Sequence, residues 1–262
     1  MPELHPGFVP ALEAQNGRAV EIDTADSGAD AYAFSPEGAG PWPAVLFYMD
    51  GPGIRPALFE MARRLADQGY FVLLPNLFYR AGAYQPFDPA TVFSNADERN
   101  RLMQLIHSVT QDQARRDTAD FITFLDQQPQ AEGLHLGTVG YCMGGSLALA
   151  TAGHFPDRVA AAAAFHAARL ATDQPDSPHL LTSAIRAKLY IGVAGIDQSF
   201  SEAERHRLQG ALEAGGVDFR LEVYPDARHG FAVNDMPVYD REASERHWQR
   251  LLDLFATTLK SG

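Results

Sequence analysis

"GTVGYCMGGS", residues 137–146, sets the only cysteine of the chain between glycines, directly after an apolar run. Two readings compete for it. Free cysteine is among the most buried residue types, so Cys142 reads first as a small hydrophobe. Gly140-x-Cys142-x-Gly144 between a strand and a helix also reads as a nucleophile elbow, a strained turn that needs small neighbours. In the second reading Gly140 and Gly144 let strand and helix approach closely, and Gly145 extends the clearance. The helix N-terminus then favours thiolate over thiol, and the Met143 N–H faces the reacting oxygen as an oxyanion donor.

Working outward, apolar runs alternate with amphipathic ones. "RAVEID" (18–23) and "DAYAFSP" (30–36), separated by a turn-rich stretch, predict an antiparallel hairpin. "PAVLFYM" (43–49), "YFVLLP" (70–75), "LHLGTVGY" (134–141), "AKLYIGVAG" (187–195) and "DFRLEVYP" (218–225) predict further strands. "RVAAAAAF" (158–165) reads as a strand by position, although its composition would suit a helix. Helices are expected over 57–69, 97–109, 111–128, 144–154, 201–216 and 240–259. The third of these carries Ala114, Ala119, Phe121, Ile122 and Leu125 on one face. The last carries Trp248, Leu251, Leu252, Phe255 and Leu259. Residues 76–96 form a long loop of Pro, Gly and aromatics, expected to lie over the functional site.

This order predicts an α/β fold: a mainly parallel sheet behind the N-terminal hairpin, helices on both faces, and no separate cap domain. At 262 residues the chain reads as a single domain, with residues 1–17 as an N-terminal extension. A net charge of −12 argues against nucleic acid or an anionic membrane as partner. One cysteine allows no internal disulfide and no CxxC motif. The N-terminal stretch shows no basic and apolar signal pattern, and no run approaches membrane-span length, so a cytoplasmic protein is expected. Metal spacing such as HExxH is absent, as are GxGxxG and P-loop patterns, so neither a metal nor a cofactor is expected.

In sheets of this kind ligands bind beyond the carboxyl ends of the strands. There "GVAGIDQSF" places Asp197 and "YPDARHGF" places His229, 55 and 32 residues further along in turn. Taken alone, the aspartate reads as a helix N-cap and the histidine as a solvated loop residue. Taken together, nucleophile, acid and histidine each follow a strand in the order of an α/β-hydrolase triad. His166, after "AAAAAF", reads either as bordering the site or as a satisfied structural histidine, the second being the commoner case.

"GYCMGG" around Cys142, the Asp197 stretch, "YPDARHGF" and "RRLADQGYFVLLPNLFYR" (63–80) together resemble the dienelactone hydrolase family over residues 18–258. The resemblance implies a Cys142–His229–Asp197 triad, no cofactor, and hydrolysis of small lactones or esters as substrates. The family carries a thiol-modulating Glu after its third strand. In "YMDGPGIRP" that position falls on Asp50, and the N–H of Gly51 becomes the second oxyanion candidate. Of the family's two-arginine carboxylate clamp, Arg80 matches one position while Val233 stands at the other. Arg80 reads either as an anion anchor or as a solvated loop residue. Tyr84 and Phe231 are the other substrate-binding candidates. Phe78, Tyr79, Tyr84, Phe87 and Phe93 either line an apolar pocket or pack the loop down. A monomer or homodimer is expected. The competing function is non-hydrolytic: a ligand-binding or thiol redox-sensing protein on the same fold.

Overall fold

The computed structural model describes residues 8–260; the first seven residues of the N-terminal extension lie outside them. The chain divides into two compact units, Met1–Leu134 and His135–Gly262.

In the first unit a short helix α1 (Val9–Ala14) precedes the hairpin β1 (Arg18–Asp23) and β2 (Gly28–Phe34), paired antiparallel as the alternation predicts. β3 (Trp42–Tyr48) and β4 (Phe71–Pro75) are the continuously apolar runs, and both are buried along nearly their whole length. The order is β1-β2-β4-β3, with β3 and β4 parallel. Helix α2 (Pro56–Asp67) connects them: Pro56 opens it, where a missing N–H costs nothing, and Gly69 follows its end at φ 84°. Phe59 of α2 packs on Tyr32 and Phe34 of β2.

The 76–96 segment holds one 3-10 turn, Tyr79–Ala81, and then α3 (Ala96–Ser108) and α4 (Gln111–Asp126) follow. A Thr110–Gln113 capping box starts α4. Its inward face differs from the predicted one, because Ala119 is exposed while Asp117 and Thr118 are buried. Polar partners explain the rotation. Thr118 shares a 2.7 Å hydrogen bond with the buried Tyr48 hydroxyl, and Asp117 accepts from Tyr79 and Arg80. Satisfied polar groups are buried without the usual penalty.

The second unit begins within β5 (Ala131–Tyr141) and continues through α5 (Met143–His154), β6 (Val159–Phe165), β7 (Lys188–Ile196), α6 (Glu202–Ala214), β8 (Phe219–Arg228) and α7 (Arg241–Leu259). Its strands are parallel in the order β5-β6-β7-β8. The alanine run of β6 is a strand, since hydrogen bonding to β5 and β7 on both sides overrides its weak β-propensity. Helices cover both faces, as β5 shows by its alternation. Thr138 bonds the Ala148 carbonyl of α5, and Gly140 faces the start of that helix. Gly137 and Tyr141 instead face Phe255, Leu259 and His247 of α7. In α7 itself, His247 and Leu254 are buried while Leu252 and Leu259 are only half-buried, a turn of the helix relative to the predicted stripe. His247 enters the core because Tyr141 satisfies its Nε2 at 3.1 Å. Among the described residues no helix is long and apolar enough to cross a membrane.

Candidate active site

Cys142 lies between the end of β5 and the start of α5 with φ 55° and ψ −120°. This left-handed conformation is uncommon for any residue but glycine and occurs at strained functional turns. Gly140 makes the turn sterically feasible, because a Cβ there would stand 2.0 Å from the Gly144 carbonyl oxygen. The thiol is half-buried. Met143 is the first residue of α5, so no carbonyl one turn earlier exists to accept from its N–H.

Asp197 follows the last residue of β7 and His229 follows the last residue of β8. The Asp197 carboxylate, nearly buried at 3% exposure, meets His229 Nδ1 at 2.7 Å. With Nδ1 so engaged, Nε2 is the ring nitrogen left for other partners, and His229 lies close enough to Cys142 for the two to influence each other electrostatically. Burial opposes the charge on His229. The Cys142 charge and the Asp197 hydrogen bond outweigh it and push the imidazole up to about 10. Burial likewise raises Asp197, but hydrogen bonds from His229 and Ser199 leave it below the usual carboxylate range. The second unit therefore brings together the three side chains that the sequence spreads over 88 residues, from 142 to 229.

Ser199 was not legible as part of this group. Its hydroxyl donates to Asp197 Oδ1 at 2.6 Å and stands 2.9 Å from His229 Nδ1. Its backbone N–H also caps Asp197 at 2.8 Å, an Asx-type turn that the Asp-x-Ser spacing could have signalled. His166 is not the satisfied histidine expected. Among the described residues neither of its ring nitrogens has a hydrogen-bond partner, although it is 1% exposed.

The substrate-binding candidates are placed differently from expectation. Arg80 is not a free guanidinium. It donates to both oxygens of Asp117 at 2.6 and 2.7 Å and to Asp26 at 2.7 Å. Phe231 is fully buried, stacked on Tyr224 at 4.8 Å and edge-on to His166, so it belongs to the core. Val233 is fully buried as well. Tyr84 sits edge-on to Phe78 and borders a cavity of about 350 Å3 in the first unit, with Arg101 and Leu105. Phe78, Tyr79 and Phe87 are buried and pack the loop down, whereas Phe93 is half exposed. Asp50 and Gly51 follow β3 in the first unit, both buried. The two Asp50 oxygens accept from Arg55 at 2.6 and 2.9 Å. Among the described residues no cluster of ligating side chains could hold a metal ion.

Comparison with known proteins shows the family and the fold. The dienelactone hydrolase family matches residues 29–259. A protein of Methylorubrum extorquens assigned the name carboxymethylenebutenolidase is 29% identical over 240 residues, spanning 90% of this chain and 79% of that one. Two solved structures share the fold. One, assigned as a dienelactone hydrolase of Klebsiella pneumoniae, has a TM-score of 0.80 at 24% identity, covering 92% of this chain and 98% of that one. The other, a dienelactone hydrolase-like promiscuous phosphotriesterase from metagenomic libraries, has a TM-score of 0.74 at 22% identity, again covering 92% and 98%.

Proposed function

Given that the chain belongs to the dienelactone hydrolase family, we propose that it hydrolyses small carboxylic esters or lactones by nucleophilic attack of Cys142. One observation carries this reading: His229 meets Asp197 through Nδ1 at 2.7 Å and is coupled electrostatically to Cys142. That is the wiring of a nucleophile, its base and the group orienting the base.

In the proposed cycle the thiolate adds to the acyl carbon and the N–H of Met143 stabilises the oxyanion. Donors of this kind are each worth on the order of 3 kcal/mol of barrier. His229 passes its proton to the leaving alkoxide, giving an acyl-thioester that water then hydrolyses. Asp197 holds the imidazole tautomer and its charge, and Ser199 holds Asp197. Asp50 takes the place of the family's thiol-modulating carboxylate. Both of its oxygens are already engaged by Arg55.

The substrate reading follows from Arg80. A guanidinium already shared by two carboxylates does not add a third favourably, and Val233 supplies no second cation. Uncharged esters and lactones are therefore expected to be cleaved as well as carboxylate-bearing ones. The non-hydrolytic redox reading has no such support, because the chain contains no second thiol to resolve an oxidised Cys142. The test is Cys142→Ala, which should keep its fold by circular dichroism and lose p-nitrophenyl acetate hydrolysis. Retained hydrolysis would end the proposal.

A further inference from the structure

His166 is the first residue past β6, and Cys142 is the first past Tyr141, which pairs with Phe165 in the parallel register. Nucleophile and histidine thus sit at the tips of adjacent strands. Both adopt left-handed backbone, with φ 55° and 37°. The turn is fixed from both sides: Cys142 N–H donates to the Phe165 carbonyl at 3.2 Å and His166 N–H to the Gly192 carbonyl at 2.8 Å.

The His166 ring lies 5.2 Å from the His229 ring, tilted by 62°, and packs against Tyr141 and Phe231. This aromatic bed would suit phenylalanine better. Burying a donor or acceptor without a partner is costly, and both ring nitrogens of His166 are so placed. Burial, with the nearby His229 and His247, holds the imidazole well below its ordinary range, so it is neutral. A neutral imidazole has one N–H to give and one nitrogen to receive. Buried groups of this kind are ordinarily satisfied by an ordered water.

We propose that His166 is a catalytic residue for the second half of the reaction: it holds, beside His229, the water that hydrolyses the acyl-thioester on Cys142. The inference rests on the hydrolase reading above. The water oxygen forms a bond to the thioester carbonyl carbon while one of its protons passes to His229 Nε2. The other O–H is donated to the acceptor nitrogen of His166, which ends the step unchanged. Collapse of the tetrahedral intermediate breaks the C–S bond, returns its electron pair to sulfur and releases the carboxylic acid. The thiolate and imidazolium are then restored. Acylation consumes no water, so loss of His166 affects only deacylation.

The experiment follows p-nitrophenyl acetate in rapid mixing and by intact mass, for the natural protein, His166→Phe and His166→Gly. Phenylalanine keeps the ring contacts without the nitrogens, while glycine suits the left-handed backbone and leaves room for added imidazole. Both variants are expected to acetylate Cys142 at the natural rate and to deacetylate on the order of 100-fold more slowly. KM should fall with kcat and leave kcat/KM unchanged. Imidazole should restore deacetylation to the glycine variant and not to the phenylalanine variant. Natural deacetylation in either folded variant, or an acylation rate that falls by the same factor, overturns the role of His166. Absence of any acetyl-Cys142 in all three proteins overturns the hydrolase reading itself.

Discussion

Replacing Gly140 with alanine puts a methyl group where the backbone of the next helix already stands. Its Cβ would lie 2.0 Å from the Gly144 oxygen, 2.3 Å from the Gly144 carbonyl carbon and 2.7 Å from the Gly145 nitrogen. All three are backbone atoms, so no side-chain rotation relieves the contact. Opening the shortest distance from 2.0 Å to 3.0 Å, below which real Cβ atoms are essentially never found, parts β5 and α5 by about 1 Å. Overpacking of this kind costs about 1–3 kcal/mol of stability. Cys142 is the residue joining the two elements, so the same displacement moves the sulfur relative to His229. An error of 1 Å in a reacting group can cost on the order of 100-fold in rate. Gly210 provides the control, since it lies within α6 and a Cβ there meets nothing within 4 Å. Alanine at 210 is expected to stabilise by about 0.5–1 kcal/mol through the unfolded chain. Urea unfolding and p-nitrophenyl acetate turnover, scaled to folded fraction, measure both effects. Should Gly140→Ala unfold within ~0.5 kcal/mol of the natural protein and turn over normally, the elbow argument is wrong.

Other consequences are equally open to measurement. Asp117→Asn leaves Arg80 with Asp26 as its carboxylate partner and should cost about 1–3 kcal/mol in urea unfolding, while KM for neutral and carboxylate-bearing esters shifts in parallel; a selective loss on anionic substrates would restore Arg80 as an anion anchor. Ser199→Ala removes one hydrogen bond to Asp197, worth about 1 kcal/mol, and should lower kcat by no more than about tenfold with KM unchanged. The pH dependence of stability has a definite sign. His229 is raised from its ordinary 6.5 to about 10, so its stabilisation is complete below pH 6.5 and is lost as pH rises through about 10. His166 is held neutral by burial, so its contribution is complete above pH 6.5 and declines as pH falls below it. Unfolding curves from pH 5 to 10.5 should show both declines, and Cys142→Ala should reduce only the alkaline one, because the sulfur charge helps hold the imidazolium.

The alternation of apolar and amphipathic runs made most elements legible, because burial on both sheet faces leaves unbroken apolar stretches such as β3 and β4. The elbow was legible for a steric reason, since only glycine fits at 140. Relations between distant side chains were not. Nothing near Asp117 in sequence marks it as the partner of Arg80, 37 residues away, and the inward turn of α4 depends on that partner. Phe231 sits two residues after His229 and read as a substrate contact, yet stacking on Tyr224 takes it into the core. His166 looked ordinary because burial without a partner is a property of packing, which leaves no trace in residue type or spacing.

The central claim is that sulfur attacks first and holds the acyl group. Intact-mass and peptide mass spectrometry of the protein, acid-quenched during turnover of an aryl ester, measures this directly. The account predicts one acyl group per chain, carried on Cys142 and released on return to neutral pH. Turnover with unmodified Cys142, or with the acyl group on another residue, would contradict it.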